Sequence, residues 1–196
     1  MSYDSSSGAQ DPDLEIVVRV QGGDERTFDE LMARYKSPVV NFIYRMLNDA
    51  GEADDAAQEV FVRVYRHLHR FRPGGRCRFS TWLFQIARNQ ALDVLRHRRR
   101  RPVETRDMRD GGEDAPASAG PSADRALSNK EIGEAVARAV SVLPEKQKTA
   151  VILAEYHDLS HAEIAEIMNC SAKSVESRLA RARETLRTTL GYLIGG

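Results

Sequence analysis

The stretch LSHAEIAEIMNCSAKSVESRLARARE, from Leu159 to Glu184, decides the fold of the C-terminal part of the chain. Ser160 and Glu163 have the spacing of a capping box, which predicts a short helix from Ser160 to Met168. Asn-Cys-Ser follows as a tight turn, and a long helix is predicted from Ala172 to about Leu190. A short helix, a tight turn and a longer helix are the length pattern of a helix-turn-helix.

The long helix of this motif has one apolar side and one basic side. Its apolar residues fall within a narrow stripe that is predicted to pack inward: Val175, Leu179, Ala182, Leu186 and Leu190. The residues predicted to point outward, or to flank that outward side, are mostly basic or hydroxylic: Lys173, Ser174, Ser177, Arg178, Arg181, Arg183, Glu184 and Arg187. Two antiparallel helices of an ordinary bundle would fit the pattern alone equally well. The capping box, the short turn and the basic face together favour DNA, since such side chains suit phosphates and base edges in the major groove.

The composition of the whole chain excludes several classes of protein. The 196 residues include 29 Lys and Arg and 29 Asp and Glu, and 41% of them are hydrophobic. No run approaches the roughly 18 apolar residues of a membrane span, and the Ser- and Asp-rich start lacks the features of a secretory signal. Cys77 and Cys170 lie far apart, which argues against a disulfide framework or a Cys-based zinc site. We therefore expect a reduced protein of the cytoplasm.

Helical periodicity dominates both parts of the chain, and no alternating apolar run bounded by hairpin-turn residues occurs. We therefore predict an all-α protein. Residues 102–127 are rich in Pro, Gly, Ala, Ser and Asp, which is typical of a flexible linker. The predicted organisation is a disordered tail at 1–13, a small helical domain at 14–101, this linker, and a second small helical domain at 128–192.

Local signals predict where some helices begin or break. Ser37-Pro38 predicts that a helix restarts or kinks, because proline lacks an N–H. Ser128 and Glu131 form a second capping box, so the first helix of the C-terminal domain is predicted to begin at Ser128. Pro144 suits the first position of the helix that follows.

The balanced charge of the whole chain hides strong local asymmetry. From Arg66 to Arg106 every cation is arginine, and the only acidic residues are Asp93 and Glu104. An acidic stretch precedes this arginine run: Asp49, Glu52, Asp54, Asp55 and Glu59. With the basic residues of the long C-terminal helix, the run makes two separated cationic patches, which indicate two contacts with a polyanion. Solvated helix faces are the alternative, and they fit an almost unopposed arginine run poorly.

Aromatic residues are interleaved with these arginines. The segment from Phe71 to Arg101 combines both kinds of side chain: Arg72, Arg76, Arg78 and Arg88 with Phe79, Trp82 and Phe84. Cations can follow a phosphate backbone while aromatic rings offer stacking platforms, which suits a single strand with unstacked bases. Alternatively the tryptophan and both phenylalanines belong to the core, and periodicity does not decide between the two.

The acidic helix offers carboxylates beside an apolar side chain: Asp54, Asp55, Gln58, Glu59 and Phe61. A protein partner with a basic helical surface would fit it. Without further information a solvated acidic face is the preferred interpretation.

We predict neither catalysis nor a metal or cofactor. His67 and His69 lie on different helix faces, and His157 and His161 straddle a predicted helix break, so neither pair suits a metal. The sequence has no phosphate-binding glycine loop, nucleophile elbow or H-E-x-x-H motif.

Five sequence blocks, in this order, resemble the extracytoplasmic-function sigma factors, the smallest sigma-70-type initiation factors. The blocks are DDAAQEVF (54–61), FSTWLFQIARNQALDVLR (79–96), LPEKQ (143–147), LSHAEIAEIM (159–168) and SVESRLARARE (174–184). They span nearly the whole chain outside the tail and the linker, and five blocks in the right order are highly specific. The resemblance implies a promoter-specificity subunit that keeps only the second and fourth sigma domains.

The resemblance also implies roles for individual residues. The residues that would dock on the β′ clamp helices of core RNA polymerase are Asp54, Asp55, Gln58, Glu59 and Phe61. The residues that would open the minus-ten element and hold a flipped base are Phe71, Arg76, Arg78, Phe79, Ser80, Thr81, Trp82, Arg88 and Asn89. The residues that would read the minus-35 element are Lys173, Ser174, Glu176, Ser177, Arg178 and Arg181. Promoter DNA, the polymerase β flap and an anti-sigma factor are the other partners implied.

Two features depart from the family pattern. The loop from Pro73 to Arg78 is slightly longer and more basic than usual, which leaves its base preference open. Glu176 stands where relatives often carry a basic residue, and it either accepts from cytosine N4 or pairs with Arg183 or Lys173.

The rival hypotheses are a free-standing helix-turn-helix regulator that binds duplex DNA alone and an adaptor that binds only proteins.

Overall fold

The computed structural model describes residues 11–75, 77–100 and 123–194, and for 123–129 and 192–194 it describes the backbone alone. Within these ranges the chain is helical and contains no strand, so the all-α prediction is confirmed. The helices are α1 (Leu14–Gln21), α2 (Phe28–Leu47), α3 (Ala50–His67), α4 (Phe79–Arg100), α5 (Ala123–Ser141), α6 (Glu145–Tyr156), α7 (His161–Met168) and α8 (Ala172–Ile194). Two short 3-10 turns lie between them, at Glu25–Thr27 and Leu68–Arg70. None of these helices is long and apolar enough to cross a membrane.

Helices α2, α3 and α4 form the bundle of the N-terminal domain, and α1 packs against α2. Its centre is made by side chains that are 0% exposed: Val39, Phe42, Ile43, Val60 and Leu83. Their helical spacing places them on the inner sides of the three helices. Burial of these side chains is what holds the three helices together.

Helix α2 runs without interruption through Pro38, where the sequence predicts a restart or a kink. Proline removes one backbone hydrogen bond from the interior of a helix. Apolar burial on both sides of it offsets that loss, since Leu31 is 1% and Phe42 is 0% exposed. The two halves therefore form one helix.

Residues 11–13, which composition assigns to a disordered tail, are part of the fold. Asp13 is 0% exposed and accepts hydrogen bonds from the Arg34 guanidinium and the Tyr35 hydroxyl of α2. Asp11 accepts from the backbone N–H of Phe79 at 2.7 Å. These contacts join positions far apart in sequence, so local composition carries no signal for them. Residues 1–10 of the predicted tail lie outside the described residues.

Helices α5 to α8 form the C-terminal domain, and α7 with α8 is the predicted helix-turn-helix. The capping box of α7 is confirmed: the Ser160 hydroxyl accepts from the Glu163 N–H at 3.3 Å, and the Ser160 N–H donates to the Glu163 carboxylate at 2.9 Å. Asn169 ends α7 in the left-handed conformation with φ 49°, a conformation that Asn tolerates better than most residues.

Helix α5 begins at Ala123 rather than at the predicted Ser128. The sequence ADRAL at 123–127 contains no glycine or proline, so nothing in it stops a helix from extending upstream of Ser128. The last five residues of the predicted linker thus belong to the helical domain. The rest of that linker, 102–122, lies outside the described residues.

The two domains pack against each other, α4 on α7 and α2 on α6. The ring of His157, just after α6, lies 4.7 Å from the ring of Phe84 and 6.0 Å from that of Phe42, measured between centroids. Lys148 of α6 is 8% exposed, and its ammonium donates to the Met46 carbonyl at 3.0 Å. A cation at this end of α2 is favourable, because the last carbonyls of a helix carry partial negative charge.

Candidate nucleic-acid interface

Helix α8 presents the basic face that its sequence predicts. The inward stripe is confirmed for its first three members, which are at most 1% exposed: Val175, Leu179 and Ala182. Leu186 and Leu190 are half-buried, so the stripe weakens toward the end of the helix. On the opposite side Lys173, Ser177 and Arg181 are exposed. This arrangement leaves the first turns of α8 open to a ligand, as a recognition helix requires.

The side chains that flank this face make local contacts. Arg178 is half-buried, and its guanidinium donates to the Cys170 sulfur at 3.0 Å in the turn that precedes α8. The backbone N–H of Ser174 donates to the Ser171 hydroxyl at 3.2 Å, which satisfies one amide at the start of the helix. Both residues are thereby held in place beside the exposed face.

Glu176 forms neither of the two ion pairs considered for it. Its carboxylate lies 3.8 Å from His161 Nδ1 instead. Arg183 is engaged by Glu155 at 3.1 Å. Glu176 is exposed and remains available to a base.

The aromatic residues of the predicted minus-ten site form a compact cluster. Phe71, Phe79 and Trp82 have ring centroids 5.3 to 6.0 Å apart. Phe71 and Phe79 are 8% and 1% exposed, and Thr81 is 0% exposed, so these three belong to the core in this conformation and cannot contact a base directly. Trp82 is half-buried and lies on the two phenylalanine rings. Of the aromatic candidates it is the one that a base could reach.

The other predicted minus-ten residues differ in how exposed their side chains are. Ser80 is half-buried, whereas Asn89 is exposed and accepts from the Arg88 guanidinium at 3.3 Å. Phe84 is 3% exposed, which confirms the core alternative for that side chain. Arg76 lies outside the described residues.

Two arginines of this site face the other domain. The Arg78 guanidinium pairs with the Glu163 carboxylate of α7 at 3.1 Å. Next to this pair, the Gln85 amide donates to the Glu166 carbonyl of α7 at 2.9 Å. Arg88 is half-buried, and burial lowers the pKa of its guanidinium. Arg88 stays charged, because an arginine does not lose its proton in proteins.

A cleft of about 360 Å³ lies farther along the same boundary. Arg99 of α4 lines one side of it, and Arg178 and Arg181 of α8 line the other. Arg178 and Arg181 thus lie at the boundary between the domains as well as on the predicted recognition helix.

Part of the arginine run is neutralised within the chain. The Arg98 guanidinium donates to the Glu52 carboxylate at 2.6 Å and to the Leu47 carbonyl at 2.9 Å. It therefore joins the end of α4 to the start of α3 and the end of α2. The expectation of an almost unopposed run is wrong for Arg98, because a carboxylate distant in sequence lies against it.

The predicted polymerase-binding face of α3 is exposed for Asp54, Asp55 and Gln58. Glu59 is half-buried and pairs with Arg63 at 3.0 Å. Phe61 is 7% exposed and packs in the core, so the apolar contact assigned to it is not available at this surface.

The apolar side chains that accompany these carboxylates at the surface are Val62 and Tyr65, which are 41% and 48% exposed. They follow Gln58 by four and seven residues, which places them on its face of the helix. That spacing is visible in the sequence, and it could have identified Val62 and Tyr65 as the apolar residues of this face.

The surroundings of Cys77 disfavour reaction of its thiol. Burial raises the pKa of the Cys77 thiol to about 11, which disfavours the reactive thiolate. Within 11–75, 77–100 and 130–191 no three His, Cys, Asp or Glu side chains converge as a metal site requires.

Comparison with known proteins identifies the two domains. The protein-family model described as Sigma-70 region 2 matches residues 31–101, and the family model described as Sigma-70, region 4 matches residues 127–186. The first match spans the bundle of α2, α3 and α4, and the second spans the helix-turn-helix domain.

Two solved structures share the fold. CnrH, in complex with the cytosolic domain of CnrY, has a TM-score of 0.68 at 24% identity, covering 92% of this chain and 97% of that one. RpoE of Bartonella quintana, in complex with the anti-sigma factor NepR, has a TM-score of 0.66 at 22% identity, covering 84% and 96%.

Curated relatives are similar over nearly their full length. The RNA polymerase sigma-H factor of Pseudomonas aeruginosa is 40% identical, with 94% of this chain and 97% of that protein covered. The ECF RNA polymerase sigma-E factor of Escherichia coli K12 is 35% identical, with 93% and 96% covered. The chain therefore belongs to the extracytoplasmic-function sigma factors of the sigma-70 family, the subunits that bind core RNA polymerase and direct promoter-specific transcription initiation.

Proposed function

We propose that α8 reads the minus-35 element, that the segment from Phe71 to Asn89 holds the opened minus-ten element, and that α3 docks on the β′ clamp helices. These are binding roles that need no covalent chemistry by this chain. The sigma factor acts in the cytoplasm, where promoters and polymerase meet.

The observation that carries the proposal is the two-sided character of α8. Its inner stripe is buried in the domain core, while Lys173, Ser177 and Arg181 stand exposed on the first turns of the helix. Recognition helices read base edges with side chains from their first turns. An exposed arginine there can donate to the O6 and N7 acceptors of guanine.

For the minus-ten element, the supporting feature is the position of Trp82. Its ring lies on the buried rings of Phe71 and Phe79, so one face of the indole is supported by the core. A supported, half-buried indole is a suitable stacking platform for an unstacked base. Arg78 and Arg88 lie on either side of Trp82 in the sequence, and we expect them to contact the phosphates next to the stacked base.

Binding of both elements requires the two domains to separate. A phosphate that contacts Arg78 has to displace the Glu163 carboxylate, which lies 3.1 Å from it. Arg88 is half-buried in the same contact. The joined arrangement is therefore a form of the free factor, and the promoter complex holds the domains apart.

The exposed acidic face of α3 lies outside the contact between the domains, so core polymerase can bind it while they are still joined. The C-terminal domain would then meet the β flap. CnrH was solved with the cytosolic domain of CnrY, and the Bartonella quintana RpoE with the anti-sigma factor NepR. By analogy, an anti-sigma factor is the partner proposed to hold this chain inactive.

The test compares Arg181→Ala with Arg187→Ala in the reconstituted holoenzyme. Both arginines are exposed on α8, and Arg187, two turns farther along, pairs with Glu184 at 2.7 Å. Arg181→Ala is expected to weaken binding to the cognate promoter by about 1 to 3 kcal/mol and to relax selectivity at one minus-35 base pair. Arg187→Ala should leave that selectivity unchanged. Equal loss on all sequences would reduce Arg181 to a phosphate contact, and no loss would refute its role.

A further inference from the structure

One short element, residues 11–21, holds both ends of the segment that carries Arg78. At the first end, the Gln21 side-chain amide donates to the carbonyls of Leu68 and Phe71, each at 2.8 Å. A side-chain amide has two N–H donors, so these two bonds use both of them. The Phe71 carbonyl immediately precedes the loop at 72–78, and Gln21 fixes where that loop leaves the domain.

Asp11 acts at the other end of the same loop. One of its carboxylate oxygens accepts from the Phe79 N–H at 2.7 Å, and the other accepts from the Asp13 N–H at 3.1 Å. Phe79 is the first residue of α4, so its N–H has no partner within the helix. A carboxylate at this position satisfies that donor and complements the positive end of the helix dipole.

The element that carries Asp11 is itself firmly attached. Asp13 is fully buried and is bound by Arg34 and Tyr35 of α2. The Tyr35 ring also packs edge-on against Phe79, with centroids 5.6 Å apart. The attachment therefore reaches the aromatic cluster through a ring contact as well as through the backbone of Phe79.

These contacts converge on the two rings that support Trp82. Gln21 bonds the backbone of Phe71, and Asp11 bonds the backbone of Phe79. A shift of either phenylalanine changes the tilt of the indole, because both rings lie within 6.0 Å of it. Groups that recognise a base have to be held to within about 0.5 Å by their supporting residues.

We propose that Gln21 and Asp11 are positioning residues for minus-ten recognition, which hold the two ends of the loop at 72–78 and thereby set the orientation of Trp82. The inference rests on the proposed role of Trp82 and Arg78 in binding the opened strand. Gln21 and Asp11 themselves need not touch DNA.

The experiment uses holoenzyme reconstituted with full-length variants. Gln21→Glu keeps the shape of the side chain and replaces its two donors by an oxygen that repels the carbonyls. Asp11→Ala removes the acceptor, whereas Asp11→Asn keeps one acceptor oxygen. Arg19→Ala is the matched control, because Arg19 lies on α1 beside Gln21 but pairs with Asp24 at 2.8 Å. The readouts are anisotropy of a labelled single-stranded minus-ten oligonucleotide, of the same strand with single bases changed, and of a duplex with only the minus-35 element.

Gln21→Glu and Asp11→Ala are expected to weaken binding of the cognate strand about five- to tenfold, as for the loss of one or two hydrogen bonds. They should also reduce the preference for the cognate over the base-changed strands. Binding to the minus-35 duplex and to core polymerase should stay unchanged. Asp11→Asn should retain most of the preference, and Arg19→Ala should retain all of it.

Unchanged preference in Gln21→Glu and Asp11→Ala would overturn the inference. So would an equal loss on the minus-ten strand, the minus-35 duplex and core, because that pattern indicates general destabilisation. If circular dichroism shows that Asp11→Ala is unfolded, Gln21→Glu decides the question. A wild-type holoenzyme without any preference for the cognate strand would refute the proposed function itself. Variants that keep the wild-type preference would refute only the positioning role of Gln21 and Asp11.

Discussion

Acidification is expected to weaken the contact between the two domains, because His157 is buried there in its neutral form. Burial first, and then the Arg45 cation, lower the pKa of His157 from 6.5 to about 4, against the opposing effect of Asp158. The burial comes in part from Phe42 and Phe84, which belong to the other domain. Separation of the domains removes that part of the burial and takes His157 away from Arg45, so it raises the pKa of the imidazole toward 6.5.

The direction of the effect follows from which state binds the proton. The joined state favours neutral His157, so the contact is at full strength above pH 6.5 and weakens as the pH falls toward 4. With these two pKa values as the limits, the ratio of separated to joined molecules rises by at most about fourfold between pH 8 and pH 6 and by at most about 30-fold between pH 8 and pH 5. The second change corresponds to about 2 kcal/mol.

Glu163, a carboxylate of the contact whose pKa the fold lowers, does not act in this range. Burial opposes the charged form, but hydrogen bonds from Ser160 and the Arg78 cation prevail and lower the pKa of Glu163 below 4.5. A carboxyl group with a lowered pKa contributes its stabilisation above 4.5 and loses it only at lower pH. The interval from pH 8 to pH 5 therefore lies above the range in which Glu163 titrates, and the His157→Leu variant identifies the part of the response that is due to the histidine.

Energy transfer between dyes on the two domains measures the effect. Dyes attached through Asp54→Cys and Thr188→Cys, with Cys77→Ser and Cys170→Ser, occupy exposed positions of α3 and α8. Transfer should decrease as the pH is lowered from 8 to 5, and His157→Leu, which cannot titrate, should abolish that response. Transfer that is independent of pH in the parent chain, or a response that persists in His157→Leu, would refute the reasoning.

Further substitutions test three separate parts of the structure. Ser160→Ala removes the N-cap of α7 and should lower the free energy of unfolding by about 1 kcal/mol in urea titrations, whereas Ser160→Thr should retain most of it. Arg98→Ala removes the bonds to Glu52 and to the end of α2, so it should lower that free energy by about 1 to 2 kcal/mol while promoter affinity per folded holoenzyme stays unchanged. Asp55→Ala should weaken binding to core polymerase about fivefold in a fluorescence titration. Glu59→Ala should have the smaller effect because an intrachain arginine already neutralises that carboxylate, and equal affinities for both variants and the wild type would return α3 to a solvated face.

The features that sequence predicted correctly are those that a few neighbouring residues determine. The inward stripe of α8 follows from spacing along a single helix, and the cap of α7 depends on Ser160 and Glu163 alone. The order of the sequence blocks also identified the family, which the similarity to the sigma-H and sigma-E factors confirms. The role that the resemblance implies for a single residue was less reliable: it assigned Phe61 to the polymerase face, but helical spacing turns that side chain inward, where it is buried, and its neighbour Val62 is exposed.

The features that sequence missed depend on partners far along the chain. Arg98 belongs to an arginine run, yet its carboxylate partner Glu52 lies 46 residues earlier. Asp11 is one acidic residue in a polar stretch, and only the fold brings it to Phe79, 68 residues later. Neither pairing leaves a periodic or compositional signal, because both depend on the way α4 packs back on the N-terminal domain.

The chain has 29 basic and 29 acidic residues, and some of the acidic ones pair with arginines of the two cationic surfaces. Arg78 is paired with Glu163, and Arg183 is paired with Glu155, each at 3.1 Å. DNA affinity at ordinary salt comes largely from the counterions that free cations release from phosphates. An arginine that already has a carboxylate partner gains less from a phosphate, because the first ion pair is lost when the second forms. We therefore expect these two arginines to add little to DNA binding by the free factor. If Arg78 has the proposed minus-ten role, promoter binding requires separation of the domains, because Arg78 then exchanges Glu163 for a phosphate.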